Sequence, residues 1–344
     1  MRRRPTSLAA LATVAVVALT GCGSGSGAKS TTSQDPKAAF ATGLSGLSDA
    51  DALTVKLNLD TTADALMGFA KESGDTLDAQ AAQHIATAGI LFETKTSDGT
   101  KLSDVKPGTK VNVATRVAIQ DDGKTLGEFR TVDESLYAQA DVKTLLDLFG
   151  ESKSYADLTT RTKQMPAFVQ AFVNGEWVVL DLNAVKALAG QFGGAAASPS
   201  TQQAQKLLTD LKAVIGKDVA VTRVGTDADG DHLKLTTQSR TFANDLVQTL
   251  GSDIPAAGLA TGSLKPGNVP DHSVALDAWV KDGVLSKISV DVVQFAKPSE
   301  VKPGDSLPVV LKFDQSGDDI SKPSNATPVD TTSLLTLLGS LGGK

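Results

Sequence analysis

The chain is predicted to be an α+β protein built around antiparallel sheet, and three features of its 344 residues say so. Leu53, Val55, Leu57 and Leu59 alternate with Thr54, Lys56, Asn58 and Asp60, a period of two that gives a strand one buried and one wet face. Two Asp-Gly pairs, Asp122-Gly123 and Asp282-Gly283, stand between strand-like runs and signal tight hairpins. Between these β-rich ends, over about 141–215, apolar residues recur at helical spacing instead. Strands on both sides of a helical middle favour a single α+β domain over 35–344, with two domains meeting near residue 195 as the alternative.

The chain opens on Arg2, Arg3 and Arg4, continues through a twelve-residue apolar run from Leu8 to Leu19, and closes that segment with Leu19-Thr20-Gly21-Cys22. A permanent bilayer span takes roughly 20 residues, so the run suits a cleaved export signal over 1–21. The arginines leave twin-arginine export open beside the general route. Residues 23–33 are almost wholly Gly, Ser, Ala and Thr, so 22–34 reads as a flexible tether. Asp35 is a capping residue and Pro36 fits a first helical turn. Phe40, Leu44 and Leu47 follow at helical spacing.

After the strand at 53–60, helices are expected at 63–70 and 77–88 and a strand at 90–96. The strands 110–120 and 125–132 join across Asp121-Asp122-Gly123-Lys124, and a third follows at 136–140. Helices start at Asp141, through Leu145, Leu148 and Phe149, and at Pro166, through Phe168 and Phe172. The strand 177–180 leads through Asp181 into Val185 and Leu188, and 193–200 reads as a loop or hinge. A helix over 202–215 puts Leu207, Leu208, Leu211 and Ile215 on one side. The strands 218–224 and 232–238 flank an Asp-rich turn, 242–250 is helical, and 251–270 is a long loop. Strands at 274–280, 284–293 and 307–313 and a helix at 334–341 complete the chain.

Composition narrows the function. Hydrophobic residues at 41% and charged residues at 21% describe a chain with a core. The net charge is −6, and loss of the three signal arginines leaves 30 basic against 39 acidic residues, or −9. Such a surface repels phosphate backbones, which argues against nucleic acid as a partner. Cys22 is the one cysteine, so no disulfide forms within the chain and thiolate metal sites are excluded.

Leu19-Thr20-Gly21-Cys22 resembles the lipobox of bacterial lipoproteins. That resemblance implies a diacylglyceryl thioether on Cys22, cleavage before it, and a palmitate-type anchor on the extracytoplasmic face of the cell membrane. The run Val274-Ala275-Leu276-Asp277-Ala278-Trp279-Val280-Lys281-Asp282-Gly283-Val284-Leu285-Ser286-Lys287-Ile288 is similar to the penultimate hairpin of actinobacterial lipoproteins of the LppX/LprG type. The strand at 307–313, with Asp319-Ile320-Ser321-Lys322-Pro323 after it, looks like their closing strand and its exit. This second resemblance implies a curved, half-open antiparallel β-barrel with helices packed on its concave side, related to the LolA/LolB carriers. It also implies lipid binding and lipid transport, with a lipid or lipoglycan held in an apolar cavity. The chain carries extra helical material at about 141–215, which leaves open whether that cavity stays hollow or is filled.

By alternation, Leu57, Leu59, Val113, Val117, Leu180, Leu276 and Trp279 are the expected lining residues. A search for chemistry yields little beside them. His84, His232 and His272 have no metal-ligand neighbour at helical or hairpin spacing. Asp227-Ala228-Asp229-Gly230-Asp231 lacks the glycine and glutamate placement of a calcium loop and reads as a hairpin turn. Ser103-Asp104-Val105-Lys106 runs into Pro107-Gly108 and opens no helix, and there is no Gly-x-Ser-x-Gly elbow. No catalytic residue, metal or cofactor is expected, and the chain is read as no enzyme. The leading expectation is a lipid-anchored carrier of hydrophobic ligands. A ligand-free envelope scaffold that binds a protein partner is the alternative.

Overall fold

The computed structural model describes residues 34–72, 74–105, 111–148, 151, 154–184, 213–250, 271–295, 302 and 304–342. The export signal, Cys22, the tether up to residue 33, Val185, Leu188, the loops at 193–200 and 251–270 and most of the 202–215 helix lie outside the described residues. In chain order the first elements are α1 (Pro36–Gly46), β1 (Ala52–Leu59), α2 (Ala63–Glu72), α3 (Ala79–Thr87), β2 (Ala88–Thr96), β3 (Val113–Asp121), β4 (Lys124–Val132) and β5 (Ser135–Ala140). There follow α4 (Val142–Leu148), α5 (Ser154–Thr162), α6 (Ala167–Val173), β6 (Val178–Asp181), β7 (Ala220–Asp227), β8 (Gly230–Gln238) and α7 (Ser239–Leu250). The chain closes with β9 (Ser273–Lys281), β10 (Val284–Asp291), β11 (Pro308–Asp314), β12 (Thr327–Pro328) and α8 (Thr331–Gly342). The protein is thus α+β with mostly antiparallel sheet.

The chain divides into two compact units that alternate along the sequence. The first holds Met1–Asp60, Gly99–Val111 and Ala197–Ser316. Its strands run in the order β1-β11-β10-β9-β8-β7, every neighbour antiparallel. Helix α1 starts where Asp35 accepts hydrogen bonds from the backbone N–H of Lys37 and Ala38, and Pro36 supplies the fixed φ of a first turn. The helix packs on β7, β9 and β10. It comes so near the β9–β10 hairpin that a Cβ on Gly46 would stand 2.7 Å from the Gly283 carbonyl oxygen. That turn is left-handed at Asp282 (φ 53°) and Gly283 (φ 81°), as an Asp-Gly hairpin requires.

The second unit holds Thr61–Asp98, Asn112–Ala196 and Gly317–Lys344. Its strands run β12-β6-β5-β4-β3-β2, antiparallel except for the short β12 alongside β6. The β3–β4 hairpin turns through Asp122 and Gly123, both at positive φ. The next hairpin turns through Asp133 (φ 47°) and Glu134 (φ 61°), residues that give no glycine signal and carry a steric cost in that conformation. Replacing Glu134 by glycine is expected to raise stability by about 0.5–1 kcal/mol, read as a higher urea midpoint at unchanged slope. Among the described residues its side chain accepts an exposed 2.9 Å bond from Asn183, so little opposes the gain. A lower midpoint would mean that the turn does not strain Glu134.

Helix α5 has no counterpart in the sequence reading, because Thr162 is its one buried residue and no apolar stripe marks it. Helix α6 does carry a stripe. Phe168 and Ala171 pack with Val178, and Ala138, Val169, Phe172, Val329 and Leu334 close around them. The helical material inserted in the middle of the sequence thereby covers the β5–β6 end of one sheet face.

Candidate apolar binding face

The second unit exposes large apolar side chains on one side of its sheet and buries an ion network on the other. Cross-strand pairs point the same way, so the register defines each face. On one face Ile90 stands opposite Ile119, Phe92 opposite Val117, Val117 opposite Phe129, and Phe129 opposite Ala138. Ile90 is 47% exposed, Ile119 43% and Phe129 48%, with Phe92 and Val117 half-buried between them. Five large apolar side chains therefore make one contiguous patch over β2, β3 and β4, about 10 Å wide across three strands. A threonine row, Thr94, Thr115 and Thr131, borders it on one side. On the other, His84 Nδ1 lies 2.7 Å from Asp121 Oδ2 and Thr87 also donates to Asp121, which ties α3 to the end of β3. At the β5–β6 end Ala138 and Val178 lie under α6, as the core around Phe168 requires.

The opposite face of the same strands is buried, and it holds an ion network beside the buried side chains of Leu91, Ala118 and Tyr137. Glu93 and Glu128 are each 4% exposed. Arg116 donates to Glu93 at 2.9 Å and to both oxygens of Glu128 at 2.9 and 3.2 Å, and Arg130 also reaches Glu128. Burial works against the Arg116 charge, but its bonds to Glu128 and Glu93 outweigh that and raise its pKa. The chain after β11 covers this network. Asp318 lies 3.7 Å from Arg116, the Ser321 carbonyl accepts from Arg130 at 3.1 Å, Lys322 pairs with Asp133 at 3.0 Å, and Ile320 is buried. Trp177 lies under the Arg130 guanidinium at 4.8 Å.

The first unit has the conventional sense. Leu57, Leu311, Ile288, Ala278 and Leu233 form one cross-strand row on the face that also carries Val280 and Leu285, which α1 covers. Leu57, Leu59, Leu276, Ile288, Val290 and Val309 on that face stay half-buried.

The seven residues expected to line a cavity fall into three places. Leu57, Leu59 and Leu276 share the apolar face of the first unit. Val113, Val117 and Leu180 share the apolar face of the second, with Val117 at the centre of the exposed patch and Leu180 opposite Leu136. Trp279 stands apart. It is three residues from Leu276 on one strand, so it points to the other, polar face. There it stacks on His232 at 4.4 Å, with the Lys287 ammonium 3.9 Å from the ring centre. Ile90, Phe92, Ile119 and Phe129 were not singled out from the sequence; Ile119 and Phe129 each stand between polar or small residues that could have flagged them, whereas Leu91 between Ile90 and Phe92 breaks the alternation.

The histidines are held structurally. His232 bonds to Asp277 at 2.8 Å and His272 to the Gln294 carbonyl at 2.6 Å. Among the described residues no three His, Cys, Asp or Glu converge as metal ligands. Asp227 accepts the Trp279 indole N–H at 2.7 Å, and that bond chiefly holds its carboxyl below the usual carboxylate range. The folded state thus binds this proton less readily than the unfolded chain. Its contribution is present above the ordinary carboxylate pKa and is lost as pH falls through the lowered value. In a Trp177→Phe background, Trp279 emission is expected to shift in that acid window before global unfolding. Emission that changes only with unfolding would show that the bond does not form.

No family model and no curated protein matches the chain. Among solved structures it is similar to the crystal structure of the Mycobacterium tuberculosis lipoprotein LppX, at 9% sequence identity and a TM-score of 0.30, with 83% of this chain and 97% of that chain covered. An overlap that loose fixes no strand-by-strand correspondence.

Proposed function

We propose that this protein is a lipid-anchored, extracytoplasmic lipoprotein that binds a lipid or other hydrophobic ligand on the apolar face of β2, β3 and β4. One observation carries the reading: the fold leaves Ile90, Ile119 and Phe129 nearly half exposed on one face while on the other it buries two glutamates against two half-buried arginines. Burying charge is costly and exposing contiguous apolar surface forgoes stabilisation, so such an arrangement calls for an occupant of the apolar side. Covering the exposed parts of these three side chains contributes roughly 1 kcal/mol apiece, and each methylene of an acyl chain laid on them about 0.8 kcal/mol. A chain of modest length then binds usefully without any polar contact. No reaction is assigned, and the role is binding or carriage.

The same reading takes the strands as a curved, half-open barrel whose helices lie on the concave side, and Cys22 as the acylated residue that retains the protein at the membrane. A diacylglyceryl group anchors without a basic patch, which suits a mature chain of charge −9. The deciding experiment expresses residues 23–344 without the anchor, extracts the folded protein with organic solvent and quantifies the lipid. Near-stoichiometric lipid is expected. A clean extract from folded protein would favour an envelope scaffold, with the apolar face kept for a protein. For the anchor, Cys22→Ala is expected to release the protein to the medium, and continued membrane retention would overturn the lipoprotein assignment.

A further inference from the structure

The described chain begins at Gln34, and that residue is held in place by a side chain far away in sequence. Arg223 on β7 donates from both terminal nitrogens to the Gln34 carbonyl, at 3.2 and 3.1 Å. Its Nε lies 2.9 and 3.0 Å from the two oxygens of Asp231, which is buried. One guanidinium therefore locks the start of the domain to the β7–β8 hairpin, and Asp35 caps α1 at the next residue. Eleven residues lie between Gln34 and Cys22, a reach of at most about 40 Å. Wherever the acyl chains sit, the β7 side of the first unit is where the tether arrives.

Strand β7 is also built unlike an edge that faces open water. Among the described residues no strand pairs with its outer side. Soluble edges are commonly guarded by lysines or other charges. Here the exposed positions over 220–226, namely Ala220, Thr222, Val224, Gly225 and Thr226, are uncharged, and the exposed acid Asp227 comes only at the strand's end; Val224, at the irregularity between Arg223 and Gly225, is 56% exposed. On a chain of charge −9, the stretch 220–226, whose exposed side chains are uncharged, is repelled little by anionic head groups.

We propose that the Arg223 clamp fixes how the domain hangs from its anchor, with edge strand β7 against the bilayer surface and Val224 as its apolar contact with lipid. This rests on the acylated Cys22 of the reading above. The acylated cysteine leaves no other thiol, so a single introduced cysteine can be labelled cleanly. Full-length acylated protein carrying Val224→Cys or Lys312→Cys is labelled with a nitrobenzoxadiazole probe and reconstituted on vesicles of phosphatidylcholine and phosphatidylglycerol. Lys312 is exposed on β11, four strands from β7 or about 19 Å. Flotation is measured first, and protein that does not float overturns the anchor and this inference together. In floating protein, iodide quenching is expected to be lost at position 224 and retained at 312. Equal quenching at the two positions overturns the orientation while leaving the anchor intact. Arg223→Lys, which keeps the charge but not the two-pronged hold on Gln34, is expected to restore quenching at 224. Persisting protection would show that the clamp does not set the orientation.

Discussion

Arg116→Ala is expected to destabilise the protein by about 3–5 kcal/mol in urea denaturation, the largest single-residue effect foreseen here. The reason lies in what surrounds the guanidinium. Arg116 binds Glu128 through two nitrogens and Glu93 through one, and both carboxylates are 4% exposed under the chain that follows β11. Truncation removes a cation that serves both glutamates at once, and Arg130 reaches Glu128. Lysine would restore the charge but not the fork, so Arg116→Lys should recover only part of the loss. Replacing Glu93 by Gln in the Arg116→Ala background should recover part of the stability too, because the buried charge that Arg116 neutralised is then removed. An exposed ion pair yields at most about 1 kcal/mol, so a loss that small would mean that water reaches this face and that its burial is not what inverts the sheet.

That inversion marks the limit of what the sequence discloses. Alternation in 92–96, 113–121 and 124–132 says that these strands have two unlike faces, and the Asp122-Gly123 turn says where two of them fold back, because those are local rules of sterics. Which face is covered depends on Asp318, Ile320, Ser321 and Lys322, nearly two hundred residues beyond Glu128, and no local pattern encodes that contact. The Asp133-Glu134 turn was hidden for a different reason, since neither residue favours the conformation it adopts. The placement of Leu276 and Trp279 on one lining was avoidable. Their spacing of three puts them on opposite sides of any regular strand, and the apolar character of tryptophan outweighed geometry. Here the indole is instead closed in by His232, Lys287 and Asp227.

Ile119→Ser with Phe129→Ser is expected to give the reverse phenotype, a small change in stability with a large loss of ligand. Both side chains are more than two-fifths exposed, so folding gains less from them than from a core residue, and the pair should cost only about 1–2 kcal/mol. Bound hydrocarbon would lose two of its broadest contacts, roughly 1 kcal/mol each, which together lower affinity about thirtyfold. Fluorescence titration with cis-parinaric acid on the delipidated chain 23–344 reads this directly, beside Leu53→Ala as a control that destabilises the fully buried core of the first unit without touching the patch. If the double variant binds the probe as the wild type does, the face of β2, β3 and β4 is not where hydrocarbon lies. If the wild type itself fails to bind while its exposed patch still captures a protein, the occupant of the inverted face is a polypeptide. The comparison works because the two faces of one sheet have been given different tasks: Arg116 and Glu128 sustain the fold from one side, leaving Ile119 and Phe129 free to serve what lands on the other.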